Sequence, residues 1–154
     1  MTETGNKNFV KISWEDIDNY SVQLANRVRP LIESKQITRL CAITRGGLIP
    51  AALLARELDL RYIDTICVKS YDNTENQEMQ VLKMIEGRSD DLLIVDEIAE
   101  TGKTIETIRK YLPDAVFVSL FATAEGKKHV DFYEATKEDN DWFIFPWENM
   151  TFKF

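Results

Sequence analysis

The most chemically loaded stretch of the chain is Asp96-Glu97-Ile98-Ala99-Glu100-Thr101-Gly102-Lys103-Thr104. Carboxylates accept hydrogen bonds from hydroxyl groups and attract hard cations. A turn that opens a helix offers its unpaired backbone N–H groups to an anion. Phosphate alone has no use for the carboxylates. A ligand carrying both hydroxyls and a phosphate, such as ribose 5-phosphate, uses both. The ending Gly102-Lys103-Thr104 is shared with P-loops, whose pattern needs a glycine five residues before the second one. Glu97 stands there. Its charge would face a phosphate, so the P-loop reading is rejected.

The elements that must position these groups lie on either side. Leu92-Leu93-Ile94-Val95 is a short apolar run bounded by Asp90-Asp91, the pattern of a strand buried on both faces. Asp96 and Glu97 then sit at its carboxyl end, where open α/β sheets place their ligands. From Thr101–Thr104 onward, Ile105, Ile108, Tyr111 and Leu112 recur at helical spacing. Leu40 to Ile43 is a second strand, running into Thr44-Arg45-Gly46-Gly47 and a helix over Leu48 to Leu58 that turns Leu53, Leu54 and Leu58 to the core. Alone, that turn reads equally well as a plain connection. As a second strand–turn–helix unit carrying an Arg, it predicts a second anion cradle.

The rest of the chain supplies a frame. Ser13, with Asp16 three residues on, marks a helix start whose buried face is Ile17, Tyr20, Leu24 and Val28, and Pro30 ends or kinks it. Tyr62 to Val68, Val81 to Ile85 and Ala115 to Phe121 read as strands. Ser70 to Gln80 is polar and reads as a solvated loop or a lid. Lys127-Lys128-His129 reads as a solvated basic patch, and the lone His has no partner at catalytic spacing. From Asp139 onward the chain is aromatic-rich; Trp142, Ile144 and Pro146 alternate as an extended segment covering the core.

A length of 154 residues predicts one domain, 1–154, with a single core. Composition, 44% hydrophobic and 29% charged, is that of a soluble globular protein. The net charge of -7 argues against a nucleic-acid partner. No apolar run is long enough for a membrane span, and residues 1 to 11 lack a secretory signature. Cys41 and Cys67 lie in apolar runs without metal-ligand spacing. They read as reduced thiols of a cytoplasmic protein.

The run Val95-Asp96-Glu97 through Glu100-Thr101-Gly102-Lys103-Thr104 resembles the PRPP-binding loop of type I phosphoribosyltransferases, and the likeness to their bacterial xanthine-guanine branch extends from about Trp14 to Glu148. The resemblance implies a mostly parallel twisted sheet flanked by helices, with a small carboxyl-terminal hood over about 123–154. It implies transfer of the phosphoribosyl group of PRPP to a 6-oxopurine (guanine, xanthine or hypoxanthine), releasing pyrophosphate, as in purine salvage. Asp96 and Glu97 would hold the ribose hydroxyls, and the turn from Ile98 through Thr104 the 5-phosphate. Arg45, Gly46 and Gly47 would bind pyrophosphate, and Ser70-Tyr71 would begin the lid. Trp142 would stack on the purine, Phe143 would read its edge through the backbone, and Thr123 stands where the family places a Lys that contacts the purine O6. Mg²⁺ is the implied cofactor, touched by Glu97 through water, and a homodimer or homotetramer the implied assembly.

Four positions depart from the family pattern. Glu100 replaces its usual Asp at the general acid/base position near purine N7, Gln77 an Arg in the lid, Thr123 the Lys, and Lys103 a small residue. Two alternatives follow: a regulator of the same fold that binds PRPP or a nucleotide with little turnover, or a transferase for another base.

Overall fold

The computed structural model describes residues 6–70 and 79–148. A six-stranded sheet runs through the molecule in the order β4-β3-β2-β5-β6-β7. Its strands are β2 (Arg39–Thr44), β3 (Tyr62–Ser70), β4 (Met79–Lys83), β5 (Leu92–Ala99), β6 (Val116–Ala122) and β7 (Phe132–Thr136). All neighbours are parallel except the β3–β4 pair. Helices α1 (Trp14–Ser34) and α2 (Leu48–Glu57) cover one face. Helix α3 (Lys103–Tyr111) covers the other.

The central strand shows why both faces must be covered. Along β5, Leu93 and Val95 pack with Leu24, Val28 and Leu54 on the α1/α2 side. Leu92 and Ile94 pack with Ile105 and Ile108 on the α3 side. All four strand residues are fully buried, as a period of two requires when neither face meets water.

Local signals hold at most element ends. Ser13 Oγ accepts from the Asp16 N–H at 3.0 Å while Asp16 accepts from the Ser13 N–H at 2.8 Å, a reciprocal capping box that holds the Asp16 carboxyl below its ordinary range. Pro30 neither ends nor breaks α1, which continues to Ser34. Val28 and Ile32 are buried on either side of it, and that apolar stripe outweighs the one helical hydrogen bond the proline removes on the exposed side. Tyr111, expected on the inner face of α3, is 61% exposed. Leu112, just past the helix end, takes the buried place.

An element for which the sequence reading gave no expectation is Asn8–Lys11, a strand, β1, pairing in parallel with β8 (Asp141–Ile144). These two strands form the hood. Residues 132–136, inside the 123–154 span expected for the hood, are instead the edge strand β7 of the main sheet. Cys41 is buried and Cys67 part-buried, with no disulfide between them; burial pushes the Cys41 thiol up to about 12. Among the described residues no helix is long and apolar enough to cross a membrane.

Candidate active site

The strand order creates one crevice. From β2 the chain goes to β3 on one side; from β5 it goes to β6 on the other. The carboxyl ends of the adjacent strands β2 and β5 are therefore a topological switch point, where the loops part and leave room for a ligand. The β2–β5 ladder ends at Ala42–Val95. Both predicted cradles, Thr44–Gly47 and Glu100–Thr104, emerge directly beyond it.

Glycine lets the two loops close on each other. A Cβ on Gly46 would lie 2.4 Å from the Glu97 carboxyl carbon. A Cβ on Gly47 would lie 2.3 Å from the carbonyl oxygen of Val95 and 2.7 Å from that of Ile43. At Gly47, where the neighbours are backbone, only a residue without a Cβ brings the β2 turn this close to β5, whereas at Gly46 the neighbour is the movable Glu97 side chain. The Thr44–Arg45 peptide is cis, and Arg45 is exposed beside the crevice.

Asp96 and Glu97 lie in the carboxyl half of β5, which continues to Ala99, and stand in different environments. Asp96 Oδ1 accepts from the Glu97 N–H at 2.8 Å. Some of the side chain still meets solvent, yet its surroundings are dense enough that burial pushes the carboxyl up to about 7. The Glu100 charge adds to that rise and the Glu97 N–H opposes it. Glu97 lies alongside Gly46, between the two cradles. Ile98 packs partly against the core and Ala99 is buried.

The turn that follows is shaped by Gly102, the N-cap of α3, at φ 78°. A Cβ there would lie 2.0 Å from the His129 ring. His129, the only histidine in the chain, thus roofs the glycine; the sequence offered no sign of this. Thr101, on the turn, and Lys103, the first residue of α3, are exposed, and the Lys103 N–H donates to Thr101 Oγ1 at 3.3 Å. The α3 N-terminus supplies partial positive charge at this point.

Thr123 has a structural task. Its hydroxyl donates to the Glu100 carbonyl oxygen at 2.6 Å and accepts from the Gly126 N–H at 2.9 Å. Its own N–H donates to the Ala99 carbonyl at 3.0 Å. The single hydroxyl proton is committed, so Thr123 does not donate to a base; it ties the turn after β6 to the end of β5. Gly126 completes the contact, since a Cβ there would lie 1.7 Å from the Ala99 oxygen. Thr123→Val keeps the shape and removes both hydrogen bonds of the side chain. Unfolding in urea should show a loss of roughly 1–3 kcal/mol, because two backbone groups lose their partner; a change under half that would mean water replaces the hydroxyl.

A residue that sequence reasoning missed lies beside this turn. Lys137, just past β7, has a side chain only 6% exposed, and its Nζ lies 2.8 Å from Glu100 Oε1. Its N–H donates to the Ala122 carbonyl at 2.9 Å, which places it across the sheet edge from Thr123. No local pattern marks it, because the signal is the β6–β7 register rather than spacing along the chain. Lys127 and Lys128 remain exposed, the latter paired with Glu125 at 2.6 Å.

In the hood, Phe143 points inward, its ring 4.8 Å from Phe121 and 6.2 Å from Phe145. Its neighbour Trp142 must face the other way. Trp142 is 43% exposed, and Lys7 Nζ sits over its ring at 4.1 Å. Trp147 stacks on Phe145 at 4.7 Å. Ser70 ends β3, exposed. Tyr71, Gln77 and most of the expected lid lie outside the described residues.

Comparisons with known proteins place the family and the fold. A family model for the phosphoribosyl transferase domain matches residues 15–149. The fold is similar to a purine phosphoribosyltransferase from Pyrococcus horikoshii, with a TM-score of 0.77 and 27% identity over 92% of this chain and 94% of that one. It is similar to the xanthine-guanine-hypoxanthine phosphoribosyltransferase of Helicobacter pylori, with a TM-score of 0.76 and 25% identity over 92% and 94%. A Neisseria gonorrhoeae protein crystallised with ppGpp shares the fold at a TM-score of 0.76 and 23% identity over 94% and 92%.

Proposed function

The chain belongs to the phosphoribosyl transferase domain family, and from that premise we propose that it transfers the phosphoribosyl group of PRPP to a ring nitrogen of a 6-oxopurine, releasing pyrophosphate. The observation that carries this reading is the meeting of an acidic pair, a helix-opening turn and a second glycine turn at one switch point. Asp96 and Glu97 accept hydrogen bonds from the ribose 2- and 3-hydroxyls. The turn from Glu100 to Thr104 takes the 5-phosphate on backbone N–H groups at the α3 N-terminus. Arg45 and the Gly46-Gly47 turn take the pyrophosphate, to which an Arg adds charge-assisted bonds.

Positive charge develops on the ribosyl centre as the bond to pyrophosphate lengthens. Asp96 and Glu97, fixed below the ribose, stabilise that charge without reorganising. Glu100 exchanges a proton with the purine near N7. Trp142 stacks on the base, Phe143 reads its edge through the backbone, and the lid that begins at Ser70-Tyr71 excludes water. The oxygen donors at the end of β5 suit Mg²⁺, a hard cation that tolerates few protein ligands. Among the described residues no three His, Cys, Asp or Glu side chains form a metal cage. Glu97, reaching through water, with the ribose and pyrophosphate oxygens, would hold the ion, which neutralises the leaving pyrophosphate when bound. Purine salvage in the cytoplasm by a homodimer or homotetramer is the biological role this reading supports.

Pyrophosphate release from PRPP and Mg²⁺, followed across a panel of free bases, tests the proposal. Release with guanine, xanthine or hypoxanthine is expected. PRPP binding without release on any base would favour a nucleotide-binding regulator, and release only with another base would reassign the substrate.

A further inference from the structure

We propose that Lys137 reads the exocyclic oxygen of the base and sets the preference for carbonyl-bearing over amino-bearing purines. The inference rests on the transfer reaction proposed above and adds the residue that makes it selective. Lysine is almost never buried unless it is paired, and Lys137 is buried, with Glu100 its one ion-pair partner among the described residues. The pairing is lopsided. The Lys137 side chain is 6% exposed and that of Glu100 57%, so the carboxylate meets solvent while the ammonium beside it is held within the protein. Phe143 closes one side, its ring centroid 5.8 Å from Nζ.

The chemistry of the pair matches one edge of a purine. N7 and the C6 substituent share that edge. A carboxylate accepts from a protonated ring nitrogen, and an ammonium donates to a C6 carbonyl. Glu100 and Lys137, 2.8 Å apart, present an acceptor and a donor side by side. An ammonium has three N–H donors and no acceptor; one turns to Glu100, leaving donors for the base. Against the amino group of adenine the same ammonium meets another donor, and a buried donor without an acceptor is penalised. Thr123 does not compete for the role, since its hydroxyl proton goes to the Glu100 carbonyl.

The test measures discrimination, which a merely structural ion pair would not move. Affinities of IMP and AMP are measured by calorimetry for the wild type, Lys137→Met and Lys137→Gln, with kcat/KM for hypoxanthine and adenine alongside. Lys137→Met should weaken IMP at least tenfold and leave AMP within about twofold. Lys137→Gln, which can donate or accept, should narrow the ratio by strengthening AMP. PRPP affinity should stay within twofold in both. In a Glu100→Gln background, Lys137→Met should still lower the IMP-to-AMP ratio. Equal losses on both nucleotides, or an unchanged ratio in a folded variant, overturn the proposal. If Lys137→Met does not fold, the Lys137→Gln ratio decides alone. Nucleotide binding needs no turnover, so a wild type that discriminates IMP from AMP but releases no pyrophosphate fails the transfer reading and not this one.

Discussion

Replacing Asp96 by Asn and Glu97 by Gln together is expected to raise the dissociation constant for PRPP by a hundredfold or more. Each carboxylate is assigned at least one hydrogen bond from a ribose hydroxyl or a metal-bound water. Bonds to charged groups contribute roughly 1.5–3 kcal/mol each, and about 1.4 kcal/mol is a factor of ten in affinity. The amides match the carboxylates in shape, so the loss is one of charge rather than of fold. Calorimetry with PRPP and Mg²⁺ measures it directly. Unchanged affinity in the folded double variant would place the ribose away from the end of β5.

The second large effect is on stability, and its direction is opposite. The Asp96 carboxyl titrates near 7 in the folded protein, against an ordinary value of 3.8. Between those values the folded chain keeps a proton that the unfolded chain has released. The unfolded state then binds fewer protons, so stability falls as pH rises from about 3.8 and levels off above about 7. At roughly 1.4 kcal/mol per pKa unit, ionising Asp96 costs up to about 4 kcal/mol. Asp96→Asn removes that cost and keeps the acceptor for the Glu97 N–H. In urea unfolding without ligand, the variant should exceed the wild type by a few kcal/mol at pH 8, the gap shrinking to about 1–2 kcal/mol at pH 5. A gap independent of pH would mean that Asp96 titrates in its ordinary range. A site residue that destabilises the free protein is the usual exchange of stability for function.

How much of this was legible in the chain depended on range. The β5 run, the turn at Gly102 and the capping box at Ser13 are local patterns, and each appears in the structure where the pattern puts it. Pro30 does not end its helix, because its local penalty says nothing of the buried stripe on either side of it. Strands β1 and β8 pair across more than 130 residues, and nothing in Asn8–Lys11 alone announces a partner. Adjacency of the two cradles follows from strand order, which no window of sequence contains. Lys137 was invisible for the same reason. Its burial and its place beside Thr123 come from β7 docking on β6, and a single lysine between Thr136 and Glu138 looks like any solvated strand end. Thr123 could be singled out by resemblance, but its hydrogen bonds to Glu100 and Gly126 required the folded turn.

The central claim is that one ligand spans the switch point, its ribose on the acidic pair and its 5-phosphate on the turn that opens α3. A crystal structure with PRPP and Mg²⁺, or with a purine nucleoside monophosphate, tests this most directly. The account predicts ribose hydroxyls within hydrogen-bond distance of Asp96 and Glu97, and phosphate oxygens on the backbone N–H groups between Glu100 and Thr104. Ordered ligand elsewhere, or a phosphate at that turn with the ribose directed away from Asp96 and Glu97, would contradict it.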